Sequence, residues 1–138
     1  MRIRTCEPGD ADAVIALWEA CGLTRPWNDP HADIERKRAF QPGLFFVGAT
    51  EDGEIIATVM AGYDGHRGAI NLLAVDPARR GEGLGAALLA HAEAALAALG
   101  CPKINLQVRP ENADVAGFYE RCGYEPFQVI DLGKRRTV

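Results

Sequence analysis

The sequence predicts a single α/β domain, residues 1–138, built on a mixed β-sheet with the element order β-α-α-β-β-β-α-β-α-β. Two observations predict this class. Short apolar runs rich in strand-forming residues alternate with segments whose apolar residues recur at helical spacing. In addition, the stretch 70–109 reads strand, glycine-rich loop, helix, strand, which indicates a parallel crossover beside an otherwise antiparallel meander.

The N-terminal half of the chain contributes the first strand, two helices and a β-hairpin. Turn residues separate these elements, as at Glu7-Pro8-Gly9-Asp10, and Asp52-Gly53 is typical of a hairpin turn. Gly22 follows the last apolar residue of the first helix, as a C-terminal cap does. The predicted elements are a strand at 2–6, a helix whose apolar face spans 14–21, a helix at 31–40 with Ile34 and the stem of Arg38 facing inward, and strands at 44–49 and 55–62.

The C-terminal half contributes the crossover and two final elements. Asp76-Pro77 ends the central strand because proline cannot donate to a ladder, and Gly100 ends the long helix. Asn112 suits the N-cap of a short helix that Gly123 ends. The predicted elements are the central strand at 70–75, the long helix at 84–99, a fifth strand at 103–109, a short helix with Val115, Phe118, Tyr119 and Cys122 on one face, and a sixth strand at 124–132.

Composition and charge narrow the class of protein. The net charge of −4 argues against a broad nucleic-acid-binding surface. No apolar run approaches membrane-spanning length and no secretory signal opens the chain, so we expect no membrane partner and a cytoplasmic location. Cys6, Cys21, Cys101 and Cys122 match neither a disulfide framework nor a zinc site, so we expect reduced, mostly buried thiols and no metal.

The glycine-rich loop between the central strand and the long helix is the strongest functional signal. Gly81, Gly83 and Gly85 fall within five residues at the start of a helix. Residues without a side chain let backbone N–H groups approach an anion closely at the positive end of the helix dipole. Arg80 is placed to add charge-assisted hydrogen bonds to a phosphate. We therefore predict a phosphate-binding loop that runs from Arg80 to Ala86.

Several interpretations of this loop compete. The P-loop of nucleoside triphosphatases requires Gly-Lys-Ser/Thr, which does not occur. A dinucleotide fingerprint is matched formally by Gly81, Gly83 and Ala86, but five residues separate the strand from the glycines, where a tight turn is needed. A third pattern, Arg/Gln-x-x-Gly-x-Gly/Ala after a strand, is matched without a gap by residues 80–85. A connection that binds nothing is disfavoured, since a glycine in a helix costs about 1 kcal/mol relative to Ala.

The third pattern resembles the pyrophosphate loop of the GNAT superfamily, the acetyl-CoA-dependent N-acetyltransferases. A second motif of that family, Asn-x-x-Ala-x-x-Phe-Tyr-x-x-x-Gly-Phe/Tyr, resembles residues 112–124, although Val115 stands where the family has a small residue. The resemblance spans 3–127 and implies a sheet splayed between its fourth and fifth strands. The segments 25–30 (RPWNDP) and 62–68 (GYDGHRG) resemble a poorly characterised bacterial branch of the superfamily.

The resemblance implies acetyl-CoA as the acetyl donor. In the family, the pantetheine arm enters between the splayed strands, where backbone N–H groups of the central strand polarise the thioester carbonyl. Tyr119 occupies the position of the general acid that protonates the leaving thiolate, and a phenol with a pKa of about 10 suits that task. Alternatively, Tyr119 is an aromatic residue of the core. The implied cofactor-binding residues are Leu73, Ala74, Val75, Arg80, Gly81, Gly83, Gly85, Ala86, Asn112 and Tyr119.

Two polar connections hold the candidates for the general base and the acceptor pocket. The first joins the two early helices and contains 27–29, and the second joins the third strand to the central one and contains 63–67. The central strand carries Asn71 and no acid, so Asp64 and His66, just upstream, are the candidate catalytic groups. Alternatively, they only form a turn. We expect both connections near the sheet end where the thioester emerges, and their charges favour a small zwitterionic amine. The candidate acceptor-binding residues are Trp27, Asn28, Asp29 and Arg67. Alternatively, Trp27 caps the core.

The residues and the resemblance together predict an enzyme that transfers an acetyl group from acetyl-CoA to a primary amine by direct attack in a ternary complex. No cysteine lies in a spacing that suggests a covalent acyl-enzyme. The alternative is a non-catalytic acyl-CoA-binding or regulatory module that kept the cofactor site. A small-molecule amine is the expected partner, and the exposed sixth strand offers a route to a homodimer.

Overall fold

The computed structural model describes residues 1–136. The chain separates into two compact units, one of Met1–Gln107 and one that starts at Val108. The first unit contains β1 (Arg2–Thr5), α1 (Ala11–Ala20), α2 (Pro30–Ala39), β2 (Phe45–Ala49), β3 (Ile55–Tyr63), β4 (Gly68–Val75), α3 (Leu84–Ala98) and β5 (Ile104–Asn105), and the second contains α4 (Ala113–Arg121).

The sheet of the first unit is mixed, with the spatial order β1-β2-β3-β4-β5. The first three pairings are antiparallel, and β4 pairs with β5 in parallel. This last pairing joins only Gly68 to Ile104 and Ala69 to Asn105, so the predicted fifth strand at 103–109 is shorter than expected. The predicted fold class, an α/β protein with one parallel crossover, is confirmed.

Helices cover both faces of the sheet. Phe45 and Phe46 are neighbours on β2, so their side chains point to opposite faces. The ring of Phe45 stacks on Trp18 of α1 at 6.2 Å between centroids, and the ring of Phe46 meets His91 of α3 at 4.7 Å. Helices α1 and α3 therefore lie on opposite faces, and the strand at the centre of the sheet, β3, is buried between them.

The basic residue of α2 that faces inward is not the predicted Arg38. Lys37, and not Arg38, is turned into the protein and is buried. The Lys37 ammonium donates to the backbone oxygen of Ala61, and burial lowers its pKa. Arg38 is partly exposed, and its guanidinium pairs with Glu35 at 2.5 Å and donates to the backbone oxygen of Pro8 at 3.2 Å.

The second unit differs more from the sequence prediction. Helix α4 forms as expected, and Asn112 holds the N-cap position, although its side chain makes no capping hydrogen bond. No strand occurs among residues 124–136, so the predicted sixth strand is wrong for this part of the chain. An extended segment needs a partner ladder to become a strand, which residue alternation alone cannot supply. The large apolar side chains of this segment are exposed: Phe127, Val129, Ile130 and Leu132.

The described residues test a further sequence prediction, on the cysteines. The four cysteines are free thiols, as expected, but each is partly exposed instead of buried. No helix within 1–136 is both long and apolar enough to cross a membrane.

The cap of α2 gives a direct test of local stability. The Asp29 carboxylate accepts a 2.9 Å hydrogen bond from the backbone N–H of His31, one of the helix donors without an intrahelical partner. We expect Asp29→Ala to lower the free energy of unfolding by about 1 kcal/mol, and Asp29→Asn, an equally good cap, to leave it nearly unchanged. Urea unfolding measures both values, and an alanine variant as stable as the wild type would contradict the capping role.

Candidate active site

The glycine-rich loop lies between β4 and α3 and adopts backbone conformations that favour glycine. Gly81 has φ 87° and Gly83 has φ 78°, both in the left-handed region. Gly83 is the N-cap of α3, and its carbonyl accepts the first helical hydrogen bond from Ala87 at 3.1 Å. The N–H groups of Leu84, Gly85 and Ala86 therefore have no acceptor within the helix.

Space is open above these donors. A Cβ atom built on Gly81 or Gly83 meets no heavy atom within 4 Å. The neighbouring Arg80 is exposed on the approach to the loop, and its guanidinium adds positive charge beside the helix N-terminus. Open donors, a helix dipole and a cation together form an arrangement that can hold a phosphate or pyrophosphate group.

The strand before the loop has an edge that β5 does not cover. Within the first unit, β5 pairs only with Gly68 and Ala69, the first two residues of β4. The stretch 73–75 therefore has no strand against this edge. The N–H of Asp76 donates to Ile56 on β3 at 2.8 Å, and alternation along a strand then turns the N–H of Val75 away from β3. The backbone of Leu73 to Val75 therefore borders an open edge that continues directly into the glycine loop.

A bulge interrupts β4 just before this edge. The β3–β4 register shifts between Thr58 and Met60, so that β4 carries one extra residue there. Leu72, inside the shifted stretch, has φ 52°. A left-handed leucine in a strand leaves no trace in the residue pattern, so the bulge could not be predicted from the sequence.

The predicted cofactor-binding residues fall into two groups. Eight of the ten lie in one continuous stretch of the first unit, from Leu73 to Ala86. Within that stretch Ala74 is 3% exposed, with its side chain in the core, so only its backbone can serve the site. The other two, Asn112 and Tyr119, belong to the second unit. Their roles stay predictions.

Asp64 and His66 lie in the tight turn between β3 and β4. One carboxylate oxygen of Asp64 accepts from the backbone N–H groups of Arg67 at 2.8 Å and His66 at 2.7 Å. These hydrogen bonds hold the pKa of Asp64 below its usual range. Arg67 in turn donates to the backbone oxygen of His66 at 2.9 Å. Both charged side chains thus have partners within the turn, as the turn interpretation requires.

The two polar connections start at opposite ends of β4, and the prediction that they share one end is wrong. The thiol of Cys21, at the start of the first connection, donates to the backbone oxygen of Val75 at 3.3 Å. The turn that carries His66 instead precedes Gly68, the first residue of β4. At about 3.3 Å per residue, His66 lies roughly 20 Å along the strand from Leu73.

The first connection is held by its own hydrogen bonds at the start of α2. The Asn28 amide donates to the carboxylate of Asp33, and Asp29 caps the helix. Trp27 is 55% exposed, so it does not cap the core. An exposed indole beside polar groups can form one wall of a pocket, and its role in acceptor binding stays a prediction.

Tyr119 lies on α4 and is half-buried among aromatic rings. Its ring meets Phe118 at 5.2 Å and Tyr124 at 5.8 Å, both edge to face. Burial, with a smaller contribution from Cys122, raises the pKa of the Tyr119 phenol to about 12. The hydroxyl therefore stays protonated at neutral pH and can act as a hydrogen-bond or proton donor.

Comparison with known proteins identifies the family of this chain. The sequence profile of the Acetyltransferase (GNAT) family matches residues 12–124, which include the glycine loop and α4. A relative from Pectobacterium atrosepticum, Acetyltransferase ECA0875, is 53% identical over 135 residues, which cover 98% of this chain and 95% of the relative.

Solved structures show the same fold. A protein from Agrobacterium tumefaciens is 28% identical, with a TM-score of 0.74 over 99% of this chain and 100% of its own. The glucosamine-6-phosphate N-acetyltransferase of Arabidopsis thaliana is 27% identical, with a TM-score of 0.69 over 97% of each chain. The chain therefore belongs to the Acetyltransferase (GNAT) family and is an acetyltransferase.

Proposed function

We propose that this acetyltransferase moves an acetyl group from acetyl-CoA to the primary amine of a small molecule, by direct attack in a ternary complex. The observation that carries the proposal is the open glycine loop at the N-terminus of α3, which directly follows the uncovered edge of β4. The loop is suited to the pyrophosphate of acetyl-CoA, and the strand edge offers N–H groups to its thioester.

Each chemical task is assigned to a group of this chain. The amine nitrogen attacks the thioester carbonyl, whose oxygen becomes negative and accepts from the N–H groups of Leu73 and Val75, which alternation turns away from β3. The tetrahedral intermediate then collapses and the carbon–sulfur bond breaks, which gives the acetylated amine and the thiolate of CoA. Tyr119 is the proposed donor to that sulfur, and a phenol with a pKa of about 12 is available in its protonated form throughout the neutral range.

We further propose Asp64 and His66 as the groups that receive the amine proton. Because their turn lies roughly 20 Å along β4 from Leu73, farther than one water can bridge, the proton reaches His66 through a chain of several waters. Because the two connections start at opposite ends of β4, Arg67 and Asp29 provide opposite charges suited to an extended zwitterionic amine. Trp27 and Asn28, in the connection before α2, complete the proposed acceptor set.

Thiol release from acetyl-CoA across a panel of amines tests the proposal. The panel should include amino acids, amino sugars and polyamines, with acetyl-CoA binding followed in parallel by thermal shift. We expect a rise in melting temperature with acetyl-CoA and amine-dependent release of CoA, fastest with zwitterionic amines. Binding of acetyl-CoA without turnover on any amine would refute the proposed transfer and favour a binding module.

Gly83 tests the phosphate-binding loop. Its Cβ would project into open space, so Gly83→Asp places a carboxylate where the pyrophosphate is proposed to lie. We expect the Kd for CoA to rise at least about 100-fold, because the new carboxylate repels the pyrophosphate and competes with it for Arg80 and the N–H groups of the loop. Calorimetry measures the Kd.

Two control variants separate charge from backbone strain. Gly83→Asn introduces a neutral side chain of the same size at the same left-handed position, and Gly53→Asp introduces the same carboxylate at another left-handed glycine, in the β2–β3 hairpin. We expect a smaller loss of affinity in the first and none in the second. Unchanged CoA affinity in folded Gly83→Asp would remove the loop from the site.

Tyr119 tests the acid. Tyr119→Phe keeps the ring and removes the hydroxyl, so we expect kcat to fall about 100-fold or more with the Kd for CoA nearly unchanged. A variant with the wild-type rate would show that the thiolate leaves without this phenol.

The raised pKa of Tyr119 also predicts a pH dependence of stability. The folded protein holds the phenolic proton more tightly than the unfolded chain. As the pH rises from about 10 to about 12, only the unfolded state loses the proton, and stability falls. Tyr119→Phe should lack this component when the two proteins are compared by unfolding at alkaline pH.

Asp64 and His66 test the proposed base and the acceptor site. Asp64→Asn removes the charge but keeps an oxygen that can accept from the two N–H groups of the turn, so the turn itself should persist. We expect this variant and His66→Ala each to raise the acceptor KM or lower kcat by about threefold or more, with the Kd for CoA unchanged. Wild-type kinetics in both variants would leave these residues with a structural role in the turn.

A further inference from the structure

The left-handed backbone of Leu72 requires an explanation. Among the non-glycine residues of 1–136, only Gln41 and Leu72 have a positive φ, and Gln41 lies outside the strands. A leucine in this conformation brings its Cβ too close to the following carbonyl oxygen, so the conformation persists only where surrounding contacts impose it. The bulge in β4 also removes Leu72 from the regular β3–β4 register.

A buried hydrogen-bond chain supplies such a contact. The hydroxyl of Thr58, on β3, donates to the backbone oxygen of Leu72 at 3.1 Å. The same hydroxyl oxygen accepts from the indole N–H of Trp18 on α1 at 3.0 Å. Thr58 is 0% and Trp18 is 1% exposed, so water does not compete for these partners. Since a hydroxyl has a single proton, the indole N–H leaves it directed at Leu72.

Because the peptide bond is planar, the contact that holds the Leu72 carbonyl oxygen also fixes the direction of the next N–H group at the strand edge. The C=O of Leu72 and the N–H of Leu73 belong to one trans peptide unit and point in opposite directions. When Thr58 holds the carbonyl oxygen, the N–H of Leu73 is directed away from the Thr58 hydroxyl. The β3–β4 register, in which Asp76 donates to Ile56, likewise turns the N–H of Leu73 away from β3. The opposite edge of β4 is the one that β5 leaves uncovered at this level.

We propose that Thr58 is a positioning residue for acetyl transfer: its hydroxyl, oriented by Trp18, holds the β4 bulge and thereby aims the N–H of Leu73 at the thioester oxygen. The catalytic part of this inference rests on the proposed function. The polar side chain of Thr58 in an otherwise apolar strand is then explained by the peptide that it orients, in addition to the hydrogen bond that it accepts from the buried indole.

Two variants of Thr58 separate the hydroxyl from the rest of the side chain. Thr58→Val keeps the branched shape and removes both hydrogen bonds, whereas Thr58→Ser keeps the hydroxyl and removes one methyl group. We expect Thr58→Val to lower kcat at least about tenfold, because removal of an oxyanion donor costs about 10²–10³ and here the donor is misdirected. The Kd for CoA should stay within about twofold, since the glycine loop is untouched.

Thr58→Ser is the matched control. The serine variant should keep kcat within about threefold of the wild type, although the lost methyl group also destabilises the core. Should the buried valine prevent folding, Thr58→Ala removes the hydroxyl without placing a methyl group against the indole N–H. A folded variant without the hydroxyl that keeps the wild-type kcat overturns the proposal.

A second measurement needs no substrate. The backbone NMR chemical shifts of Leu72 report its conformation, and we expect them to move toward extended values in Thr58→Val and to match the wild type in Thr58→Ser. Unchanged shifts in Thr58→Val would overturn the proposal even if kcat falls. A wild type that turns over no amine would refute the proposed function, whereas the shifts would still decide whether Thr58 holds the bulge.

Discussion

The pairing of β3 with β4 is the constraint on which the rest of the structure depends. Strand β3 is central in the sheet and buried between helices, so it fixes β4 from one side only. The other edge of β4 is covered by β5 for two residues and is then open. A strand held rigidly along one edge and uncovered along the other can present backbone N–H groups to a ligand without losing its position.

The candidate site is made mainly of backbone, and this explains its composition. Glycines at positive φ, the first turn of α3 and the uncovered edge of β4 offer N–H groups, while Arg80 adds a charge at the rim. In the proposed role, these backbone donors recognise features common to every acetyl-CoA molecule, namely the pyrophosphate and the thioester. Recognition of the acceptor then falls to side chains elsewhere, and such side chains can change without a change of fold.

Polar density in a loop is an ambiguous signal, and this chain shows the physical reason. The side chains of Asp29 and Asp64 are short and carry acceptors close to the main chain. Such side chains satisfy exposed N–H groups at helix starts and turns before any ligand is considered. By contrast, Thr58 and Lys37 are polar groups in apolar surroundings, and each has a backbone carbonyl partner that lies distant in sequence.

The sequence by itself determined the fold class, the helices α1 to α4, the first four strands and the glycine loop. These follow from short-range patterns, because apolar periodicity, turn residues and caps act within a few positions of the chain. Only the tertiary structure decided that Lys37 faces inward in place of Arg38, that residues 124–136 form no strand, and that Leu72 is left-handed. Each of these depends on a partner far away in sequence, such as Ala61 for Lys37 or Thr58 for Leu72, and no local pattern encodes which partner a residue will meet.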